Sequence, residues 1–189
     1  MASDGKWHTT YREKVLNVVP KDDGRFFEFK PGSTACFGTR DLKGCSAVLL
    51  VSPTAGILAH IAPGNPHTGV KAKEYFGRMM VRFIALANAH REHFAQNVSG
   101  GLVAYALLDD GDYSEEVLEL AKSIFKKNLD VPLQIVDYYA PKDTNKANDP
   151  PRETVLIDPA GGRPNIYVED QLIFQVKESS KGTTTTKKD

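Results

Sequence analysis

Cysteine is nearly absent from this chain: Cys36 and Cys45 are the only two among 189 residues. Two thiols cannot build a disulfide framework or a four-cysteine zinc site, and allow at most one disulfide. No run of about 18 apolar residues occurs, so no membrane-spanning helix and no membrane partner are expected. Net charge is also missing, with 24 lysines and arginines against 24 aspartates and glutamates. That balance argues against a partner held by phosphate neutralisation, so no nucleic-acid partner is expected. The opening residues, Met1 to His8, lack the apolar stretch of a signal peptide. A cytoplasmic location is therefore the default expectation, with a secreted or host-delivered effector as the alternative. No internal repeat is visible, and no phosphate-binding glycine pattern. Gly161-Gly162 reads as a hairpin turn instead.

What is present suits one domain with enough chain to bury a core. Residues 1–12 are polar and read as a flexible N-terminus, 13–177 as a single domain, and 178–189 as a disordered Thr- and Lys-rich tail. Strand-like segments are expected at Val15–Val19, Phe26–Phe29 and Ser33–Thr39. Others follow at Leu102–Leu108, Pro132–Tyr139, Thr154–Ile157, Asn165–Val168 and Leu172–Val176. Between Val70 and Gln96, Phe76, Met79, Met80, Phe83, Ile84, Leu86 and Ala87 fall at helical spacing, and Gly100-Gly101 is read as the end of that segment. A second helix is expected to be capped by Ser114 and to run to Lys126-Lys127. This order predicts an α+β fold: twisted mixed β-sheets forming a sandwich-like core, flanked by two main helices.

One local constellation carries chemistry. Cys45 stands at the mouth of the apolar run Ser46–Val51, and the next apolar run, Gly56–Ile61, contains His60. The turn Ser52-Pro53-Thr54-Ala55 between them predicts an antiparallel hairpin whose far ends meet. Thiol and imidazole would then be neighbours, as a thiolate nucleophile and its base require. Taken singly, a strand cysteine or histidine is more often an ordinary core residue. The interval between them is what favours catalysis.

The run Gly38-Thr39-Arg40-Asp41-Leu42-Lys43-Gly44-Cys45-Ser46-Ala47-Val48, followed by Gly56-Ile57-Leu58-Ala59-His60, resembles the core of the CheD-type glutamine deamidases, which act on bacterial chemoreceptors. The same Leu-x-Gly-Cys signature and downstream histidine mark the deamidating toxins of the cytotoxic necrotizing factor class. Chemoreceptor-type members place a threonine six positions before the cysteine, and Thr39 fills that place. The interval of 15 from Cys45 to His60 is similar to that of the toxins. Leu42-Lys43-Gly44 departs from the Leu-Gly-Ser or Leu-Ser-Gly of the chemoreceptor enzymes and is nearer the toxin form. The resemblance covers residues 33–63 directly.

The resemblance implies a cofactor-independent protein glutamine deamidase. Cys45 would attack the side-chain carboxamide, and His60 would protonate departing ammonia and then activate water against a thioester. Thr39 would hold the other ring nitrogen, as the third member of a triad does. Gly44 would admit the substrate and let the Cys45 amide serve an oxyanion hole. The expected partner is a protein bearing a glutamine. Three alternatives keep some of these features: a transglutaminase-like acceptor change, a thiol hydrolase of small amides, and a non-catalytic protein-binding module of the same fold.

Other candidates are weaker. Asn65 and His67 lie in a breaker-rich loop that could reach the site. His90 and His93 are spaced as a helical metal pair but lack a third ligand, so no metal is expected. Asp109-Asp110-Gly111-Asp112 lacks the spacing of a calcium loop and reads as a strand-to-helix turn. Cys36 reads as a small buried strand residue.

Overall fold

The computed structural model describes residues 16–64, 71–95, 99–107, 112–139, 154–169 and 171–177. The expected N-terminal and C-terminal tails, and the loop residues Asn65 and His67, lie outside them. Ten strands follow in chain order: β1 (Leu16–Val18), β2 (Asp23–Glu28), β3 (Cys36–Thr39), β4 (Ser46–Val51), β5 (Ala55–Ile61), β6 (Gly100–Leu107), β7 (Leu133–Tyr139), β8 (Val155–Asp158), β9 (Asn165–Val168) and β10 (Gln171–Gln175). Helix α1 (Ala72–Ala89) lies between β5 and β6, and α2 (Asp112–Asn128) between β6 and β7.

The strands form two five-stranded sheets, ordered β1-β3-β8-β9-β10 and β2-β5-β4-β6-β7. Both are mixed. β1 runs parallel to β3 in the first and β6 parallel to β7 in the second, while the remaining neighbours are antiparallel. The parallel pair β6 and β7 needs a long crossover, and α2 supplies it. The α+β expectation is met.

Side-chain alternation sorts the core into layers. Ala47, Leu49, Val51, Leu58, Leu102 and Ala104 of the second sheet pack with Phe37, Val155, Ile157, Ile166 and Val168 of the first. The Phe27 and Phe37 rings meet across this gap, with centroids 4.3 Å apart. On the other face of the second sheet, Val48, Leu50, Ile57, Ala59, Ile61 and Val103 pack with Phe76, Met80 and Phe83 of α1 and Val117, Ala121 and Phe125 of α2. The second sheet is thus the middle of three layers. This explains why Ser46–Val51 and Ala55–Ile61 are buried at every residue and read as unbroken apolar runs. Each large aliphatic buried there contributes about 1.5–3 kcal/mol relative to exposure.

Three boundaries differ from the sequence expectation. Gly100-Gly101 does not close the first helical segment; it opens β6. A Cβ at Gly101 would lie 2.4 Å from the Phe125 ring, so the missing side chain is what lets α2 sit close on the sheet. Helix α1 ends at Ala89, because His90 leaves helical geometry and a short 3-10 turn, Arg91–His93, follows. Helix α2 already begins at Asp112, two residues before Ser114, so the serine lies inside the helix and does not cap it.

Candidate active site

The hairpin read from the sequence is present. β4 and β5 pair antiparallel, with Ala47 opposite His60 and Ser46 opposite Ile61. Ser52 N–H closes the turn onto the Ala55 carbonyl at 2.9 Å. One step beyond the ladder, Cys45 stands across from Ala62. Cysteine and histidine are therefore diagonal neighbours across the hairpin. Diagonal cross-strand positions are ~7–8 Å apart, within reach of a long side chain such as imidazole. Both residues belong to the face that meets the other sheet. Cys45 packs in the inter-sheet core with Ala47, and His60 sits between Leu58 and Ala62 of the same cluster.

Thr39 comes from the opposite sheet. It shares the inward parity of Phe37 on β3, and its Oγ1 lies 2.7 Å from His60 Nδ1. The same hydroxyl lies 2.9 Å from the Val19 carbonyl oxygen. Two oxygens at that separation require a proton between them, and a carbonyl has none to give. Thr39 therefore donates to Val19 and accepts from His60 Nδ1–H. The neutral imidazole carries its proton on Nδ1, which leaves Nε2 as the basic nitrogen. Among the described residues, Nε2 is buried and without a hydrogen-bond partner.

The loop before Cys45 is tightly wound. Asp41, Lys43 and Gly44 have φ of 56°, 40° and 88°. Cys45 N–H donates to the Leu42 carbonyl at 2.6 Å, closing a turn whose two central residues both have positive φ. Gly44 is there because the second central position suits glycine. The Cys45 amide is thus spent on this turn, so it is not presented to an oxyanion in this conformation. Neither cysteine is in a disulfide. Cys36 points to the opposite face of its sheet, beside Leu156, and is buried as expected.

Three residues around the site were not anticipated. Asp22 accepts the Ala62 N–H at 3.0 Å and donates its own N–H to the His60 carbonyl at 2.8 Å. Tyr75, in the first turn of α1, packs against the inter-sheet cluster that holds Cys45, and its hydroxyl hydrogen-bonds Asp22. Tyr138 on β7 donates its hydroxyl to the Cys45 carbonyl at 2.5 Å. The last of these joins positions 93 apart in the chain, a separation that no local sequence signal spans.

The electrostatics favour a neutral imidazole. Burial pushes His60 down from 6.5 to about 4; the charge of Asp22 opposes this, Lys21 adds to it, and Asp41 opposes it. Tyr75 is raised, chiefly by burial, then by its bond to Asp22 and that group's charge, with a smaller contribution from Cys45.

The weaker candidates stay apart from this centre. His90 stacks on Phe26 with centroids 3.6 Å apart, and His93 Nδ1 lies 3.1 Å from Thr54 Oγ1. Both are occupied at the turn end of the hairpin, remote from Cys45. Asp112 is the first residue of α2, while Asp109 and Asp110 lie outside the described residues. Among the described residues, no three His, Cys, Asp or Glu side chains gather as a metal site, and no helix is long and apolar enough to cross a membrane.

Comparison with known proteins finds no matching family model and no matching curated protein.

Proposed function

We propose that this protein is a cysteine-dependent amidohydrolase that converts a protein-bound glutamine to glutamate with release of ammonia. The observation that carries this reading is the oriented imidazole of His60. Its Nδ1 proton is committed to Thr39, and its basic Nε2 is left without a partner on the sheet face that also carries Cys45. An unpartnered buried nitrogen costs stability, and a proton-transfer role accounts for its retention.

With His60 neutral near pH 7, the resting pair is thiol and imidazole. Nε2 takes the Sγ proton as sulfur bonds to the carboxamide carbon, and the C=O electron pair moves to oxygen. The imidazolium then protonates the amide nitrogen, the C–N bond breaks, and ammonia leaves a thioester. Water attacks that thioester, giving a proton to Nε2. The C–S bond breaks, the thiolate recovers the proton, and glutamate departs. Cys45 and His60 are each 3% exposed, so a glutamine side chain reaches the sulfur only after a local opening.

That burial favours a second reading: a protein-binding module of the same fold, in which His60 and Thr39 are a structural pair. Ammonia release from glutamine-bearing proteins, compared between wild type, Cys45→Ser and His60→Ala, separates the two. Release that both substitutions abolish supports the deamidase; unchanged release in Cys45→Ser removes it. Added primary amine distinguishes transglutamination, and free glutamine distinguishes a small-amide hydrolase.

A further inference from the structure

We infer that Asp22 is a positioning residue of the Cys45–His60–Thr39 site, acting from a four-residue clip, Val19–Asp22, that bridges the two sheets. This rests on the reading of that site as catalytic. Val19 follows β1 of the first sheet, and Asp22 precedes β2 of the second. At one end of the clip, Val19 donates its N–H to Gly38 at 2.8 Å and receives the Thr39 hydroxyl at 2.9 Å. At the other end, Asp22 grips β5 and the residue just after it. Its N–H meets the His60 carbonyl at 2.8 Å, and its Oδ1 accepts the Ala62 N–H at 3.0 Å. The peptide groups on both sides of Ile61 are thereby fixed, and with them the Cα from which the imidazole projects.

The clip is itself shaped for this. Asp23 N–H bonds back to the Pro20 carbonyl at 3.3 Å, and Asp22 takes a φ of 61° between them. A left-handed φ is uncommon for a residue with a side chain, and aspartate tolerates it better than most. In that conformation both the Asp22 amide and its carboxylate turn toward β5. A single short segment therefore sets the partner of Nδ1 and the strand carrying the ring. The setting of the imidazole thus depends on this one segment, and proton transfer depends on such positioning.

The carboxylate has a second task. It hydrogen-bonds Tyr75, whose ring packs against the cluster containing Cys45. It is also a negative charge acting on His60, alongside Asp41 and against Lys21. Asp22 thus favours the imidazolium that forms as the thiol is deprotonated.

Two substitutions separate these contributions while sparing the turn. Glycine accepts the positive φ and removes the carboxylate. Asparagine also accepts it and keeps an oxygen for Ala62 N–H while removing the charge. Three readouts apply to each: the slowly exchanging His60 Nδ1–H in a proton–nitrogen NMR spectrum, iodoacetamide alkylation of Cys45 against pH, and ammonia release. In Asp22→Gly the ring N–H signal disappears and kcat falls on the order of 100-fold, as misplacement of a reacting group by about 1 Å produces. In Asp22→Asn the signal persists and kcat falls less, with KM unchanged. The acid limb of its profile moves to lower pH, since loss of a nearby negative charge weakens the base.

The ring signal and alkylation need no glutamine substrate. If wild type releases no ammonia but Asp22→Gly loses the ring signal, the deamidase reading falls and the positioning role stands. If wild type turns over and Asp22→Gly matches it in ring signal and rate, the positioning role falls.

Discussion

Thr39 and His60 belong to different sheets and meet at 2.7 Å across the inter-sheet core. Neither hairpin geometry nor helix packing creates that contact; it exists because β3 and β5 face one another. The Val19 carbonyl then decides its polarity by taking the only proton the threonine has.

Thr39→Val keeps the shape and removes the acceptor of Nδ1–H. A buried ring N–H left unpaired costs about 1–3 kcal/mol. Urea unfolding should register that loss, and ammonia release should fall with it. Thr39→Ser retains the hydroxyl and should recover most of both. Equal stability of the valine and serine variants would contradict the bond described here.

His60 makes stability depend on pH with a definite sign. Its folded-state pKa, about 4, lies below the ordinary 6.5, so between these values the unfolded chain binds the proton more tightly. Its contribution is fully present above 6.5 and is lost as pH falls toward 4. The stability difference between wild type and the non-titrating His60→Gln variant should be flat above that window and shift against wild type within it. A flat difference down to pH 4 would mean that the imidazole is not held neutral.

Gly44→Ala tests the turn ahead of the cysteine. With φ of 88° at this position, a Cβ costs about 1–2 kcal/mol. Thermal unfolding should show the loss, and the Cys45 alkylation rate should change because the Leu42–Cys45 turn relaxes. No change in either measurement would show that the loop carries no conformational strain.

Gly101→Ala tests the close approach of α2. The new methyl would stand 2.4 Å from one Phe125 ring atom and 2.9 Å from another. Overpacking of this kind costs about 1–3 kcal/mol. Pairing it with Phe125→Leu should recover part of that cost, a favourable coupling in a double-mutant cycle. Additive effects would mean that ring and glycine do not meet.

Legibility followed sequence distance. The β4–β5 hairpin is local, so the run-turn-run pattern of 46–61 disclosed it. The helices were visible in their periodicity, because each lays one stripe on the sheet. Thr39 was picked out by resemblance alone, since the residues between it and His60 say nothing about which sheets dock. Asp22, Tyr75 and Tyr138 were passed over for the same reason. A Lys-Asp-Asp-Gly turn looks like any surface turn until β5 lies beside it, and Tyr138 reaches Cys45 only through two intervening strand pairings. Gly100-Gly101 misled because glycine pairs usually break structure, whereas here they make room for a phenyl ring.

An isolated β4–β5 hairpin would carry an imidazole with no preferred tautomer and a thiol like any other. The proton on His60 is assigned only when β3 arrives from the far side. A half-assembled polypeptide of this sequence therefore leaves the imidazole tautomer open, and the fixed Nδ1 proton doubles as a certificate that the sandwich has closed.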